Sequence, residues 1–264
     1  MIELERLLKY RFMSQLLAGK TALILGVANK WSLAYAIAQA FRREGAKLLL
    51  SYQGERLQKS VEQLGAELGA ERVFDCDVTK DDDLARLTQT GEKLDIVVHS
   101  IAFANREDLE KPFVETSRAG YLLAQEVSAY SIVAVARATA PLMTEGGSII
   151  TLTYLGSSRV LTNYNVMGVA KAALEAAVRY LASELGPSKI RVNAISAGPV
   201  KTASARGIKD FSKILEAVSA RAPFRRNTDP AEVADAAVFL ASDLGRGVTG
   251  DVMFVDSGFH IMGL

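Results

Sequence analysis

The sequence predicts an α/β fold, a single doubly wound domain with a parallel sheet of about seven strands and helices on both faces. Three observations carry this. Short apolar runs alternate with longer helical stretches from Thr21 to the end of the chain. The runs are apolar almost throughout, which is the pattern of strands covered on both sides. Small or polar residues collect where those runs stop, at the carboxyl edge where open parallel sheets bind ligands.

Thr21–Gly26 reads as a buried first strand, followed by a loop over 27–31. Ser32 opens a helix that runs to Glu44 and stops at Gly45, as a Ser N-cap and a Gly C-cap predict. Lys47–Tyr52 is the second strand, with a helix from Glu55 to Leu68. Arg72–Phe74 is a third strand, with Asp75-Cys76-Asp77-Val78 at its end. Asp81–Thr90 is a short helix and Leu94–His99 a fourth strand. Thr116–Met143 is mostly helical, as two elements. A strand over 148–153 leads through a Gly- and Ser-bearing loop to a long Ala-rich helix ending at Leu185. Arg191–Ile195 is a strand, and Lys209–Arg221 and Pro230–Ala241 are helices. The latter is started by Thr228-Asp229-Pro230. Asp251–Val255 closes the sheet. The whole is a Rossmann-like arrangement.

Of 264 residues, 49% are apolar and 23% charged, enough for a sizeable core with a solvated surface. Thirty-one basic residues against 30 acidic leave a net charge of +1, which gives no electrostatic footprint for nucleic acid or an anionic membrane. One cysteine, Cys76, excludes an internal disulfide and fits a reducing compartment, hence a cytoplasmic protein. With only His99 and His260 beside it, no metal site is expected. No uninterrupted apolar run reaches membrane-spanning length; the richest, Ile132–Met143, contains Arg137. Residues 13–264 are expected to form the one domain, with residues 1–12 as an extension outside it.

The most informative stretch is 148–185. Tyr154 and Tyr164 frame its loop, and Lys171 follows Tyr164 by seven residues. Seven helical residues make nearly two turns, so Tyr164 and Lys171 share a face about 10 Å apart along the axis. That separation suits two groups gripping neighbouring parts of one ligand. A phenol donates a strong hydrogen bond to a developing oxyanion, and a nearby ammonium is expected to lower the phenol pKa. The plainer reading pairs Lys171 with Glu175 at i+4.

The first loop, Gly26 to Ala34, keeps one glycine of the usual three-glycine dinucleotide fingerprint. Ser32 and the free N–H groups of the helix start can still meet a pyrophosphate, or Ser32 simply caps the helix. The second strand ends in neutral Tyr52-Gln53. Gln53 can bond ribose hydroxyls, which favours NADH; Arg56 keeps NADPH open as the lesser alternative. Asp77 and Val78 can flank an adenine, or Asp77 can cap the next helix.

Together, GVANKWSLAYAIA (26–38), CDV (76–78), HSIAFA (99–104), the 153–182 stretch, RVNAISAGPVKT (191–202) and VDSGFHIMG (255–263) resemble the enoyl-acyl-carrier-protein reductases. These are a divergent branch of the short-chain dehydrogenase/reductase superfamily, and the resemblance runs from Leu17 onward. Ordinary members place Ser near Tyr154 and Lys at Gly168, and this chain has neither. It departs from the branch itself at Trp31 and at Ala203-Ser204.

The resemblance implies reduction of trans-2-enoyl thioesters by NADH in fatty-acid elongation, with acyl carrier protein as partner and a homotetramer as the assembly. It implies Tyr154, Tyr164 and Lys171 as catalytic residues, Tyr164 donating to the thioester oxygen and Lys171 holding the nicotinamide ribose. Gly26, Ser32, Leu33, Gln53, Asp77, Val78 and Ile101 are implied for the cofactor, with Val200, Lys201, Thr202, Ala203 and Ser204 over its nicotinamide half. Ala104, with the two tyrosines, is implied for the acyl substrate. The polar segment 201–224 reads as a lid, and Lys201, Arg206, Arg225 and Arg226 as contacts for an acidic carrier protein. A short-chain carbonyl reductase and a non-catalytic dinucleotide sensor are the alternatives. The first lacks its Ser and Lys here, and the second has no reason to keep both Tyr164 and Lys171.

Overall fold

Alternate residues of the first strand, β1 (Thr21–Leu25), serve two different cores. Ala22 and Ile24 pack into one apolar cluster, Leu23 and Leu25 into another. This is what a period of two dictates for a strand covered on both faces. The computed structural model describes residues 15–88, 91–202 and 210–263, so the expected 1–12 extension, Ala203, Ser204 and Arg206 lie outside the described residues.

The other strands are β2 (Lys47–Tyr52), β3 (Arg72–Asp75), β4 (Ile96–His99), β5 (Gly147–Thr153), β6 (Ile190–Ala197) and β7 (Val252–Val255). Among the described residues they form one sheet in the order β3-β2-β1-β4-β5-β6-β7, every pairing parallel. The chain starts in the middle, winds outward to β3, then returns and winds to β7. The reversal between β1 and β4 leaves a crevice above their carboxyl ends.

Helices α1 (Leu33–Arg43) and α2 (Glu55–Leu68) cover one face. Helix α3 (Asp81–Thr88) lies on the other. A five-residue helix, α4 (Arg106–Glu110), was not expected. The stretch read as two helical elements is α5 (Arg118–Gln125), a π turn (Glu126–Tyr130) and α6 (Ser131–Thr139). Helix α7 (Asn165–Leu185) packs with α5 and α6, and α6 in turn covers α3. Helix α8 (Phe211–Arg221) precedes α9 (Pro230–Ala241), which joins α1 on the first face. Asp229 caps α9 in a reciprocal box with Glu232, with Pro230 at the first helical position.

The helical run Arg118–Leu142 is, by length and composition, long and apolar enough to cross a membrane. Sequence runs alone missed this, because the apolar residues are dispersed among Arg118, Glu126 and Arg137. Half of the run is buried inside the fold, which gives its apolar face a partner.

Candidate active site

The crevice is closed below by a contact that only glycine permits. Gly26 ends β1 at φ +90°, and a Cβ there would lie 2.3 Å from the carbonyl oxygen of Ser100. The loop after β1 can therefore sit directly against the loop after β4. Ser32 then opens α1, its Oγ accepting from the N–H of Tyr35 at 3.2 Å and donating to the carbonyl of Asn29 at 2.8 Å. The capping role is thus filled, and Ser32 and Leu33 also line the crevice.

Strand β5 delivers Tyr154 at its exit, and a short turn, Leu155–Ser157, leads toward α7. Tyr164 is the N-cap residue of α7, not a residue of its first turn. Asn165 fixes that helix start by donating to the carbonyls of Leu109 (3.0 Å) and Lys111 (2.7 Å) at the end of α4. The Tyr164 ring lies against the backbone of Gly156, where a Cβ would come within 2.3 Å of it. Gly168, on α7, faces the Gly156 carbonyl, where its own Cβ would lie 2.7 Å away. The position at which ordinary relatives carry Lys is therefore one where this chain has no room for a side chain. The two tyrosine rings meet edge to face, centroids 5.1 Å apart at 76°.

Lys171 is buried two turns into α7, and its Nζ donates to the carbonyl of Leu152 at 2.7 Å. Glu175 is engaged elsewhere, accepting from Thr153 Oγ1 at 2.7 Å, so the plainer Lys–Glu pairing is not what is found. Burial pushes the Lys171 ammonium down to about 8, opposed by the charge of Glu175. The same burial raises both phenols. Tyr154 is pushed up to about 12, with the Asp256 charge as a second cause, and Tyr164 is held well above the ordinary phenol range. The expectation that Lys171 lowers the Tyr164 pKa is therefore corrected: desolvation wins, and the phenol is a neutral donor at physiological pH.

A cavity of about 440 Å³ brings these groups together. Its walls include Gly26, Ser32, Leu33, Ile101, Ala104, Tyr154, Tyr164, Lys171, Val200 and Thr202. Lys201 is exposed and does not line it. Gln53, Asp77 and Val78 lie at the same edge of the sheet but outside the cavity wall, near the ends of β2 and β3. Desolvation raises the Asp77 carboxylate, but hydrogen bonds from Thr79 and then from the exposed Gln53 together outweigh it and hold the group below the usual range. Asp77 Oδ1 accepts from the N–H (3.0 Å) and hydroxyl (2.7 Å) of Thr79, an Asx turn four residues ahead of α3, so the expected cap on that helix is not what is found. Val78 is packed in the core.

Ser100, one of the small and polar residues at the strand ends, lines the cavity as expected; Phe103, Arg106, Met167 and Phe211 line it without having been singled out. Beneath it, His99 is fully buried, its ring bonded to Thr151 Oγ1 (2.9 Å) and Ser131 Oγ (2.8 Å). Burial, then the Lys171 charge, lowers its pKa to about 3, so it is neutral. From the π turn, Ser128 Oγ bonds both the N–H (2.9 Å) and the carbonyl (3.0 Å) of Phe103. The signal available in sequence was Ser128 and Ser131 three apart on an apolar helical face, which is visible only as a polar interruption.

The family model for enoyl-(acyl carrier protein) reductase matches residues 26–260. This chain belongs to the enoyl-acyl-carrier-protein reductase family. The NADH enoyl-acyl-carrier-protein reductase FabI of Bacillus cereus is 54% identical over 255 residues, covering 94% of this chain and all of that one. The NADPH enoyl-acyl-carrier-protein reductase FabI of Staphylococcus aureus is 50% identical over 92% of this chain and 98% of that one. A crystal structure of the Bacillus cereus reductase with NADP+ and indole naphthyridinone superposes with a TM-score of 0.93 at 55% identity, over 96% of this chain and 100% of that one.

Proposed function

We propose that this reductase uses NADH to reduce the C2=C3 bond of trans-2-enoyl thioesters carried on acyl carrier protein, the last reductive step of fatty-acid elongation. The supporting observation is the convergence of Tyr154, Tyr164 and Lys171 on one cavity that also reaches the start of α1. The residues present fit a dinucleotide. The helix start offers N–H groups to a pyrophosphate, Gly26 lets the loop lie flat, and Lys171 offers the buried cation that a ribose diol needs. When bound, NADH would supply the hydride for C3, and a proton taken up at C2, ultimately from solvent, would complete the reduction. Tyr164 donates a hydrogen bond to the thioester oxygen as negative charge moves onto it. Lys171, anchored by the Leu152 carbonyl, holds the ribose hydroxyls and keeps the local potential positive. Tyr154 holds the Tyr164 ring by its edge and walls the acyl pocket with Ala104. The buried surroundings exclude water from the developing charge, where a fixed donor is worth most.

In the same reading, residues 13–264 are the catalytic domain and residues 1–12 an extension. Gly26, Ser32 and Leu33 serve the pyrophosphate and adenosine side, and Gln53, Asp77, Val78 and Ile101 the adenosine half. Val200 to Ser204 cover the nicotinamide half. The segment 201–224 acts as a lid, supported by Phe211, which reaches the cavity from α8. For the acidic carrier protein, Lys201 is an exposed cation, whereas Arg226 is committed to Glu232 at 2.5 and 2.8 Å. A homotetramer is supported by an apolar groove of about 550 Å³ between α5–α6 and α7, beside exposed Leu122, Tyr130 and Tyr180. The reading places the protein in the cytoplasm. The test is loss of nicotinamide absorbance with a crotonyl thioester, with a ketone, and with neither. Oxidation of NADH dependent on the enoyl thioester alone supports the proposal, and turnover of the ketone alone, or none, overturns it.

A further inference from the structure

Resting on the NADH reading above, we propose that Asp75 is a specificity-determining residue that turns away the 2′-phosphate of NADPH from the end of β2. Strands β2 and β3 are parallel neighbours with Tyr52 opposite Asp75. The chain leaves β2 through Gln53 and Gly54 into α2, and the N–H of Gly54 donates to Asp75 Oδ1 at 2.7 Å. The carboxylate of β3 therefore stands under the turn at which this class of fold reads the adenosine ribose. Gln53, the residue that follows β2, is uncharged. Its amide can serve a hydroxyl or a phosphate oxygen alike, so by itself it discriminates weakly.

The charge at this corner comes from the next strand. Among the described residues Asp75 has no ion-pair partner within 4 Å, whereas neighbouring Asp77 has Lys80 at 3.7 Å. Glu55 opens α2 and adds a second carboxylate, with the cation of Arg56 next to it, so the acid on β3 is what leaves the corner negative. The Tyr52 hydroxyl registers the result: burial, then the charges of Glu62 and Asp75, hold its pKa above the ordinary value. A ribose hydroxyl tolerates such a corner. A phosphate would meet like charge and find the Gly54 N–H already taken.

Asp75→Asn tests this, because the amide oxygen can keep the bond to Gly54 while the charge is gone. The readout is the ratio of kcat/KM for NADPH to that for NADH, with a crotonyl thioester. At low salt the ratio is expected to rise about tenfold, the effect of one exposed charge on a nearby dianion. The gain should shrink as KCl is added, because exposed charges are screened, and Asp75→Glu should keep the wild-type ratio. A ratio within about twofold of wild type at low salt, or a gain indifferent to salt, overturns the proposal. A wild-type enzyme that prefers NADPH overturns the NADH reading as well, and that is read before any substitution is made.

Discussion

At the Tyr164–Lys171 end of the crevice the polar groups are buried, each held by backbone, by another ring or by the lack of a Cβ nearby. At the Gln53–Asp77 end they are more exposed and held by one another and by an Asx turn. Burial at the first end shifts both phenols upward and the lysine downward. At the second end charge acts through solvent, where it is weaker and screened. The difference follows from what each end must do. Stabilising a charge that exists only briefly needs fixed donors in a dry place, whereas choosing between two cofactors needs only a modest bias in affinity.

The sharpest way to break that comparison is Tyr164→Phe. If the buried end supplies a preorganised donor, kcat falls by about two to three orders of magnitude. NADH binding, followed by fluorescence, should survive, because the ring still fills its seat against Gly156. Near-normal turnover would remove Tyr164 from the chemistry and leave it as packing.

Lys171→Met sharpens the electrostatic half. A lysine lowered from 10.5 to about 8 releases its proton in the folded state while the unfolded chain still holds it. Between those pH values stability therefore rises with pH on this residue's account, by about 3 kcal/mol across the window. Other groups titrate there too, so the measurable quantity is the difference between wild type and variant in chemical unfolding. The gap should move in favour of wild type from pH 8 toward 10.5. NADH affinity should drop in the variant at every pH. A pH-independent gap would show that the ammonium is not desolvated in the fold.

The contrast also explains what was legible in the sequence. β2, α2 and α9 fall where patterning placed them, and the start of α9 also where the Asp229-Pro230 pair, a local signal, placed it. The Tyr–Tyr–Lys set was legible as spacing, and it does line one cavity. The direction of the Tyr164 shift was not, since spacing says nothing about how much water remains around a phenol. The Leu152 carbonyl under Lys171 was hidden for the same reason: a backbone acceptor from another strand has no sequence signature. The π turn at Glu126–Tyr130 was likewise invisible, because what accompanies it is the tertiary grip of Ser128 on Phe103 and Ser131 on His99. Helix α4 has five residues, too few for periodicity to show.

A smaller expected effect separates rigidity from chemistry at the buried end. Gly156→Ala puts a methyl 2.3 Å from the Tyr164 ring, and Gly168→Ala puts one 2.7 Å from the Gly156 carbonyl. Alanine improves α7 by about 1 kcal/mol at residue 168, so a gain in stability is the outcome if the backbone can yield there. The close contact predicts the reverse. Either substitution should lower kcat about tenfold or more by tilting the donor, with KM for NADH little changed. Unchanged kcat in a folded Gly156→Ala enzyme would mean that the ring position is not set by this cradle.

The smallest effect lies at Ser32, midway between the two ends, and it divides a structural role from a binding one. Its hydroxyl caps α1, so Ser32→Ala should cost about 1 kcal/mol of stability whatever else the residue does. Aspartate caps as well as serine, so Ser32→Asp should restore that stability. It would also set a carboxylate against the pyrophosphate that this helix start is proposed to receive. If Ser32 serves both roles, the aspartate variant melts like wild type yet shows a raised KM for NADH, more so at low salt. If capping is its whole task, the aspartate variant matches wild type in both measurements, and the phosphate must be held by the backbone N–H groups alone.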